Sequence, residues 1–479
     1  MFFSKKKAFI LIFLVTIHSF FSTLLPVNAA SLEELQNEAE ARKLIPIETN
    51  SIENWPPGPA IGAEAAILMD ANTGVILYAK NIDQPLFPAS TTKLMTCLLA
   101  VEHASLNDMI PFSNDAVFGL EWDSSNIGMD VGQSLSLEEA LYGILIGSAN
   151  EVANAVAEYV GGSMDEFAIM MTEKARELGC KNTNFTNAHG LHDDDHYTTA
   201  YDLALIASAF FQNELLSKVA NTDSYHFMPT PTQPDDFIKR NKHRLVNGEI
   251  EYENIIGGKT GYTSTARQTL VTCAEENNMK LICVILKEES PEQFNDTVKL
   301  FDYGFSNFQT ANVAEHETRY NIENSSFFQT GNDVFGDSSP LLNLNSSSYV
   351  ILPKTIEFAD LASDISYQDE NAQSVAEINY YYHGAFVGQA TIDFATDSRS
   401  TYDFDPHLPT EDVTSEADAG KVIFVNIINV ILILLGVAAL IILFFVIRAF
   451  IINYQFNRRR SRRRVILRKR RRTNRFRDF

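Results

Sequence analysis

Ser90 and Lys93 stand three residues apart in Pro88-Ala89-Ser90-Thr91-Thr92-Lys93. On a helix that spacing puts both side chains on one face. A serine hydroxyl is a weak nucleophile until a base takes its proton. Lys93 is such a base if burial and neighbours lower its pKa from about 10.4. A helix start also offers backbone N–H groups and a positive dipole end to a developing anion. Alone the pair is weak, because a capping serine beside a solvated lysine reads the same way. Ser148-Ala149-Asn150 sets a hydroxyl and an amide one residue apart, suited to relaying a proton and bonding a substrate amide. Gly257-Gly258-Lys259-Thr260-Gly261-Tyr262-Thr263 leads into a strand. Its glycines permit close backbone approach. Lys259 and Thr260 suit a carboxylate, although a plain hairpin turn would look alike.

The elements that must position these residues are legible from periodicity. Residues 65–70 and 75–80 are apolar runs joined by Ala71-Asn72-Thr73-Gly74, a β-hairpin signal. Helical periods cover 90–104, 136–146, 163–178 and 201–212. The third opens on Ser163-Met164-Asp165-Glu166, a capping box, and stops at Gly179. Residues 263–274 and 280–286 read as a second hairpin, and 291–304 as a closing helix. Strands at both ends with helices between predict an α+β unit, an antiparallel sheet with packed helices, over 60–310. Helical periodicity ends near Ala311. Strands at 347–352, 377–382 and 386–394 predict a small all-β domain over 311–397, the last two joined at His383-Gly384.

With 479 residues, 45% of them hydrophobic and 21% charged, the chain is neither disordered nor fibrous. Its net charge of −23 is unevenly spread. Residues 421–479 hold 15 basic side chains and one acid, and the first 30 hold three lysines. The segment 31–420 has 20 bases against 60 acids. A body this acidic argues against nucleic acid as a partner. Lys5-Lys6-Lys7, an apolar run and Val27-Asn28-Ala29-Ala30 form a signal peptide, 1–29. A polar lead-in, 30–59, ends on Pro56-Pro57-Gly58-Pro59. Residues 398–420 read as an acidic stalk. Residues 422–447 hold no charge and are bracketed by Lys421 and Arg448, which predicts one transmembrane helix. The arginine-rich tail, 448–479, then marks the cytoplasmic side. The expected location is the cell membrane, with the body outside.

Cys97, Cys180, Cys273 and Cys283 are too few for a disulfide framework and read as buried thiols. Cys273 and Cys283 would pair only from adjacent strands in register. His189, His192 and His196 with Asp193-Asp194-Asp195 are spaced too loosely for a defined zinc site, so no metal is expected.

Together and in this order, the three motifs resemble the penicillin-recognising serine acyltransferases, which include penicillin-binding proteins and serine β-lactamases. Asn182-Thr183-Asn184-Phe185, Asn187-Ala188-His189-Gly190-Leu191 and Tyr197-Thr198-Thr199-Ala200-Tyr201-Asp202 look like the low-molecular-weight D-alanyl-D-alanine carboxypeptidases. The likeness covers roughly residues 60–397. It implies that Ser90 is acylated, Lys93 is its general base and Ser148 relays a proton. It implies that Asn150, Lys259, Thr260 and Gly261 bind substrate, and that the backbone N–H groups of Ser90 and Tyr262 form the oxyanion hole. It implies peptidoglycan stem peptides as substrate, β-lactams as covalent inhibitors and no cofactor. A β-lactamase fits less well, since no Glu-x-x-Leu-Asn segment is present. A D,D-endopeptidase and a non-catalytic β-lactam sensor are the other readings. A sensor would need a larger cytoplasmic part than this tail.

Overall fold

In Ala65-Ala66-Ile67-Leu68-Met69 residues of both parities are apolar, the pattern of a strand covered on both faces. A computed structural model of the chain describes residues 32–121, 123–320, 342–367 and 374–394. Helix α1 (Leu32–Arg42) leads in. Next come β1 (Ala65–Asp70), β2 (Ile76–Lys80), α2 (Lys93–His103), β3 (Met109–Pro111), α3 (Asn114–Phe118) and β4 (Ser134–Ser136). Helices α4 (Leu137–Leu145), α5 (Asn150–Gly161), α6 (Met164–Glu177), α7 (Ala200–Gln212) and α8 (Glu214–Ala220) follow. After them come the hairpin β5 (Ser224–Phe227) and β6 (Phe237–Arg240), then β7 (Ile255–Thr263), β8 (Arg267–Glu276), β9 (Met279–Glu288) and α9 (Glu292–Asn307). The rest is β10 (Phe308–Asn312), a short helical turn, β11 (Leu342–Leu344), β12 (Tyr349–Pro353), β13 (Ala362–Tyr367), β14 (Ser374–Tyr382) and β15 (Ala385–Phe394).

Five antiparallel strands form the main sheet in the order β2-β1-β9-β8-β7. Alternate residues feed two cores. Ile67, Met69, Ile282 and Val284 face the helical side with α2, α4, α5 and α7. Leu68, Leu281 and Ile285 face the other side with Phe294, Leu300 and Phe301 of α9 and with Val350, Ile378 and Tyr380 of the later strands. Each such side chain contributes about 1.5–3 kcal/mol on burial. Helix α2 is buried from Lys93 through Ala100, so it is the central helix, enclosed on every side. The fold is thus an antiparallel sheet with packed helices and a later all-β region. In that region β10-β12-β15-β14-β13 form a second sheet, with β11 also on β15.

The predicted elements recur with shifted ends. The α4 start is a reciprocal capping box between Ser136 and Glu139. At α6 Ser163 accepts from the Glu166 N–H, the serine half of the predicted box. The largest shift is at the third motif. The expected strand 263–274 is β8, which begins at Arg267, and the motif lies in a separate strand, β7, with a turn at Ser264-Thr265-Ala266 between the two. All four cysteines are buried free thiols. Cys273 is opposite Ile282, and Cys283 opposite Thr272. That offset of one residue sends the two thiols into opposite cores. The expected signal peptide, stalk, membrane span and basic tail lie outside the described residues. No helix among the described residues is long and apolar enough to cross a membrane.

Candidate active site

Ser90 lies in a 3-10 turn, Ala89–Thr92, that runs straight into α2. The turn is held in an uncommon shape, with Ala89 at φ +49°. Side chains supply the bonds that keep it there. The Pro88 carbonyl accepts from Thr91 Oγ1 at 2.7 Å and from Thr269 Oγ1 of β8 at 2.8 Å. The Ala89 carbonyl accepts from Thr92 Oγ1 at 2.8 Å. Gly190, at φ +82°, packs so tightly here that a Cβ would run into the Ala89 carbonyl oxygen. Gly261 does the same from the β7 side. A Cβ on it would fall 2.9 Å from the Ser90 backbone nitrogen and collide with Thr269 Oγ1. Glycine therefore brings the β7 backbone next to the Ser90 N–H. Since β7 is the last strand of the sheet among the described residues, its outer side has no partner strand and is where a ligand could pair.

Lys93, the first residue of α2, is fully buried. Its Nζ meets Ser90 Oγ at 2.9 Å, Asn150 Oδ1 at 2.7 Å and the His189 carbonyl oxygen at 2.6 Å. Burial, then the Lys259 and Lys242 charges, pushes its pKa well below the ordinary lysine value, against a smaller pull from Glu151. A neutral amine has two hydrogens and one lone pair. Asn150 Oδ1 and the His189 carbonyl can only accept, so they take the hydrogens. The lone pair is left for the Ser90 hydroxyl, the arrangement a general base requires.

Ser148, at φ +58°, sits in the tight link between α4 and α5. Its Oγ accepts from Lys259 Nζ at 3.0 Å, and Lys259 also reaches the Thr260 carbonyl at 2.8 Å. Burial, followed by the Lys242 charge, brings Lys259 down to about 7. Thr260 is half-exposed and the Tyr262 side chain is exposed beyond it. The structure thus gathers Ser90, Lys93, Ser148, Asn150, Lys259, Thr260 and Gly261 along one cleft, between the helical layer and the edge strand. A hydroxyl beside a neutral amine, a second hydroxyl beside a cation and an exposed strand edge suit acyl transfer from a substrate bearing an anion.

Several participants were not legible as motif residues. The His189 carbonyl is a backbone acceptor, signalled only by the neighbouring Gly190. His196 Nδ1 accepts from the Thr186 N–H at 3.1 Å, so its Nε2 carries the hydrogen and donates to Thr92 Oγ1 at 2.8 Å. That completes a chain from His196 through Thr92 to the Ala89 carbonyl. Burial pushes His189 down to about 3 and His196 to about 4, so both are neutral at pH 7. His189 Nδ1 accepts from Leu191 N–H, and His192 faces Phe87 and Asp194. The three imidazoles serve separate networks. Among the described residues no group of His, Cys, Asp or Glu is arranged to hold a metal ion.

A family model described as D-alanyl-D-alanine carboxypeptidase, peptidase S11, matches residues 52–290. D-alanyl-D-alanine carboxypeptidase DacF of Bacillus subtilis (strain 168) is 35% identical over 254 residues, 52% of this chain. The match spans 63% of the Bacillus protein, under two thirds of its length. D-alanyl-D-alanine carboxypeptidase DacC of Escherichia coli (strain K12) is 30% identical over 357 residues, 71% of this chain and 82% of that one. Penicillin binding protein 5 from Haemophilus influenzae has a similar solved structure, with a TM-score of 0.57 and 26% identity. That likeness covers 71% of this chain and 98% of that one.

Proposed function

The chain belongs to the peptidase S11 family of D-alanyl-D-alanine carboxypeptidases, and from that membership we propose that it removes the terminal D-alanine from peptidoglycan stem pentapeptides. The observation that supports this most is the buried Lys93 amine, 2.9 Å from Ser90 Oγ and bonded to two obligate acceptors. Ser90 Oγ attacks the carbonyl carbon of the terminal peptide bond while its proton passes to Lys93 Nζ. The oxyanion is met by the backbone N–H groups of Ser90 and Tyr262, each such donor being worth about 100–1000-fold in rate. The proton returns to the leaving nitrogen by way of Ser148, and D-alanine departs. Lys93 then takes a proton from water, whose oxygen attacks the Ser90 ester, and it returns that proton to Ser90 Oγ as the C–Oγ bond breaks and the shortened peptide leaves. Asn150 bonds the substrate backbone, and Lys259 and Thr260 hold the terminal carboxylate beside Gly261. Penicillins enter by the same attack; the opened ring stays attached through the acyl group and the adduct persists.

Purified protein given a peptide ending in D-Ala-D-Ala should release stoichiometric D-alanine and should form a covalent adduct with fluorescent penicillin. The same peptide with an amidated C-terminus should be cleaved at least tenfold more slowly, because it lacks the anion that Lys259 binds. Equal cleavage of the two would overturn the carboxylate clamp and favour an endopeptidase acting on cross-links.

The body acts outside the cytoplasm, anchored by a single span at 422–447 with the arginine-rich tail inside. The bracketing Lys421 and Arg448 and the clustered arginines support this topology. Protease added to intact spheroplasts should digest the body and spare an epitope placed after Phe456. Cleavage of that epitope from outside would reverse the orientation.

A further inference from the structure

Lys242 stands outside every motif, yet it meets the site from the opposite wall. Its segment is fixed by its neighbours. Asn241 donates to the Ala220 and Thr222 carbonyls. His243 is fully buried, meets Thr272 Oγ1 of β8 at 2.8 Å and lies where a Cβ on Gly258 of β7 would be. From that base the Lys242 side chain reaches across to Ser125, with Nζ 2.8 Å from Oγ. Ser125 in turn touches the catalytic layer, because its carbonyl accepts from the Asn150 N–H at 2.9 Å. The next residues of the same loop are bound by buried Glu151, whose Oε1 accepts from the Ile127 N–H at 2.7 Å and the Gly128 N–H at 3.2 Å. Lys239 of β6 adds a second strut, reaching the Asn126 carbonyl at 3.4 Å. The β5–β6 hairpin that holds Lys239 is itself seated by a stack of Tyr225 on Tyr142, with ring centroids 3.9 Å apart.

We infer that Lys242 is a positioning residue that bridges the cleft from the β7 wall to the Ser125 loop, fixing that loop behind Asn150 and supplying the site with a cation besides Lys259. The inference rests on the acyl-transfer role of Lys93 proposed above. Lys93 is faced by Lys259 of β7, Lys242, Glu151 of α5, His189 and His196 of the loop beneath it and Cys97 of its own helix. Lys259 is faced by Lys242, His243 and Cys97. The histidines are neutral near pH 7 and the buried Cys97 thiol is pushed up. Glu151 is the one acid in this set, and burial raises its carboxyl. Lys242 therefore disfavours the ammonium of both Lys93 and Lys259.

The sign of the effect follows. Lys93 must be neutral to act as a base, and Lys259 must be charged to hold a carboxylate. Removing the Lys242 charge raises both pKa values, so both limbs of the activity profile move to higher pH. The test is the rate of acylation by fluorescent penicillin, measured on the full chain in detergent from pH 5 to pH 10. With Lys242→Met the rate near pH 6 should fall about three- to tenfold, the range expected for one partly solvated like charge. The deficit should shrink as pH rises and be gone at the alkaline end, where Lys93 is neutral in either protein and Lys242, itself lowered by burial and by the Lys239 charge, sheds its own proton early. Lys242→Arg keeps the charge and should keep the wild-type acid limb. A Met variant with the wild-type profile overturns the inference. So does an equal loss at every pH in both variants, which would mark Lys242 as a structural tie alone. A wild-type protein that forms no adduct at all would instead refute the carboxypeptidase reading beneath it.

Discussion

Ser90→Ala should form no covalent penicillin adduct, and its D-alanine release should fall by at least about 10,000-fold, the scale set by loss of a nucleophilic serine elsewhere. The variant should still fold. Among the described residues the Ser90 hydroxyl bonds only Lys93 and, at 3.5 Å, the His189 carbonyl. Losing one such half-buried bond costs about 1 kcal/mol, a few degrees in Tm for a protein of this size. The competing nucleophile is Ser148, the second hydroxyl beside a lysine. Its partner is Lys259, whose amine also donates to the Thr260 carbonyl, whereas it is the Ser90 N–H that packs against Gly261. Ser148→Ala should therefore acylate more slowly but still to one adduct per chain. Full labelling of Ser90→Ala, with none in Ser148→Ala, would exchange the two roles.

Much of the architecture was readable because the two faces of β1 and β9 are apolar and the helices between them carry clear periods. The β1–β2 hairpin came from two short apolar runs around Ala71-Asn72-Thr73-Gly74. What misled was glycine. The stretch Ile255–Thr263 has the composition of a turn, yet it is a nine-residue strand. Gly258 and Gly261 are there because His243 and the Ser90 N–H occupy the space a side chain would need. Local propensity yields to that close approach. Helix α5 was hidden in another way. It buries Asn150, Glu151 and Asn154 in its first turns, so polar letters break the period that would have marked it. The motif side chains were legible because each has its own chemistry. The groups that hold them were not. The His189 carbonyl, the Thr92–His196 bond and the Lys242–Ser125 bridge join residues 96, 104 and 117 positions apart. Sequence spacing is silent about backbone acceptors and about contacts at that range.

Lys259→Met should lower kcat/KM for a peptide ending in D-Ala-D-Ala by about 30- to 1000-fold, since removing one partner of a buried charge pair costs about 2–4 kcal/mol. The pH profile separates loss of charge from loss of packing. Burial and Lys242 set Lys259 near 7. In the free enzyme it is a cation below that pH and neutral above it, so kcat/KM for the free-acid peptide should decline as pH rises through about 7. A bound carboxylate favours the cation, so the corresponding limb in kcat should lie at higher pH. Methionine fills similar space without a titrating group, and the limb should vanish with it. An amidated peptide makes no use of the cation. It should show little of the alkaline decline in the wild type, and the substitution should cost it far less than the free acid. The ratio of free-acid to amide turnover should thus collapse toward one in Lys259→Met. If that ratio stays at its wild-type value, the anion is held elsewhere, and Lys259 acts only on Ser148 and the proton it relays.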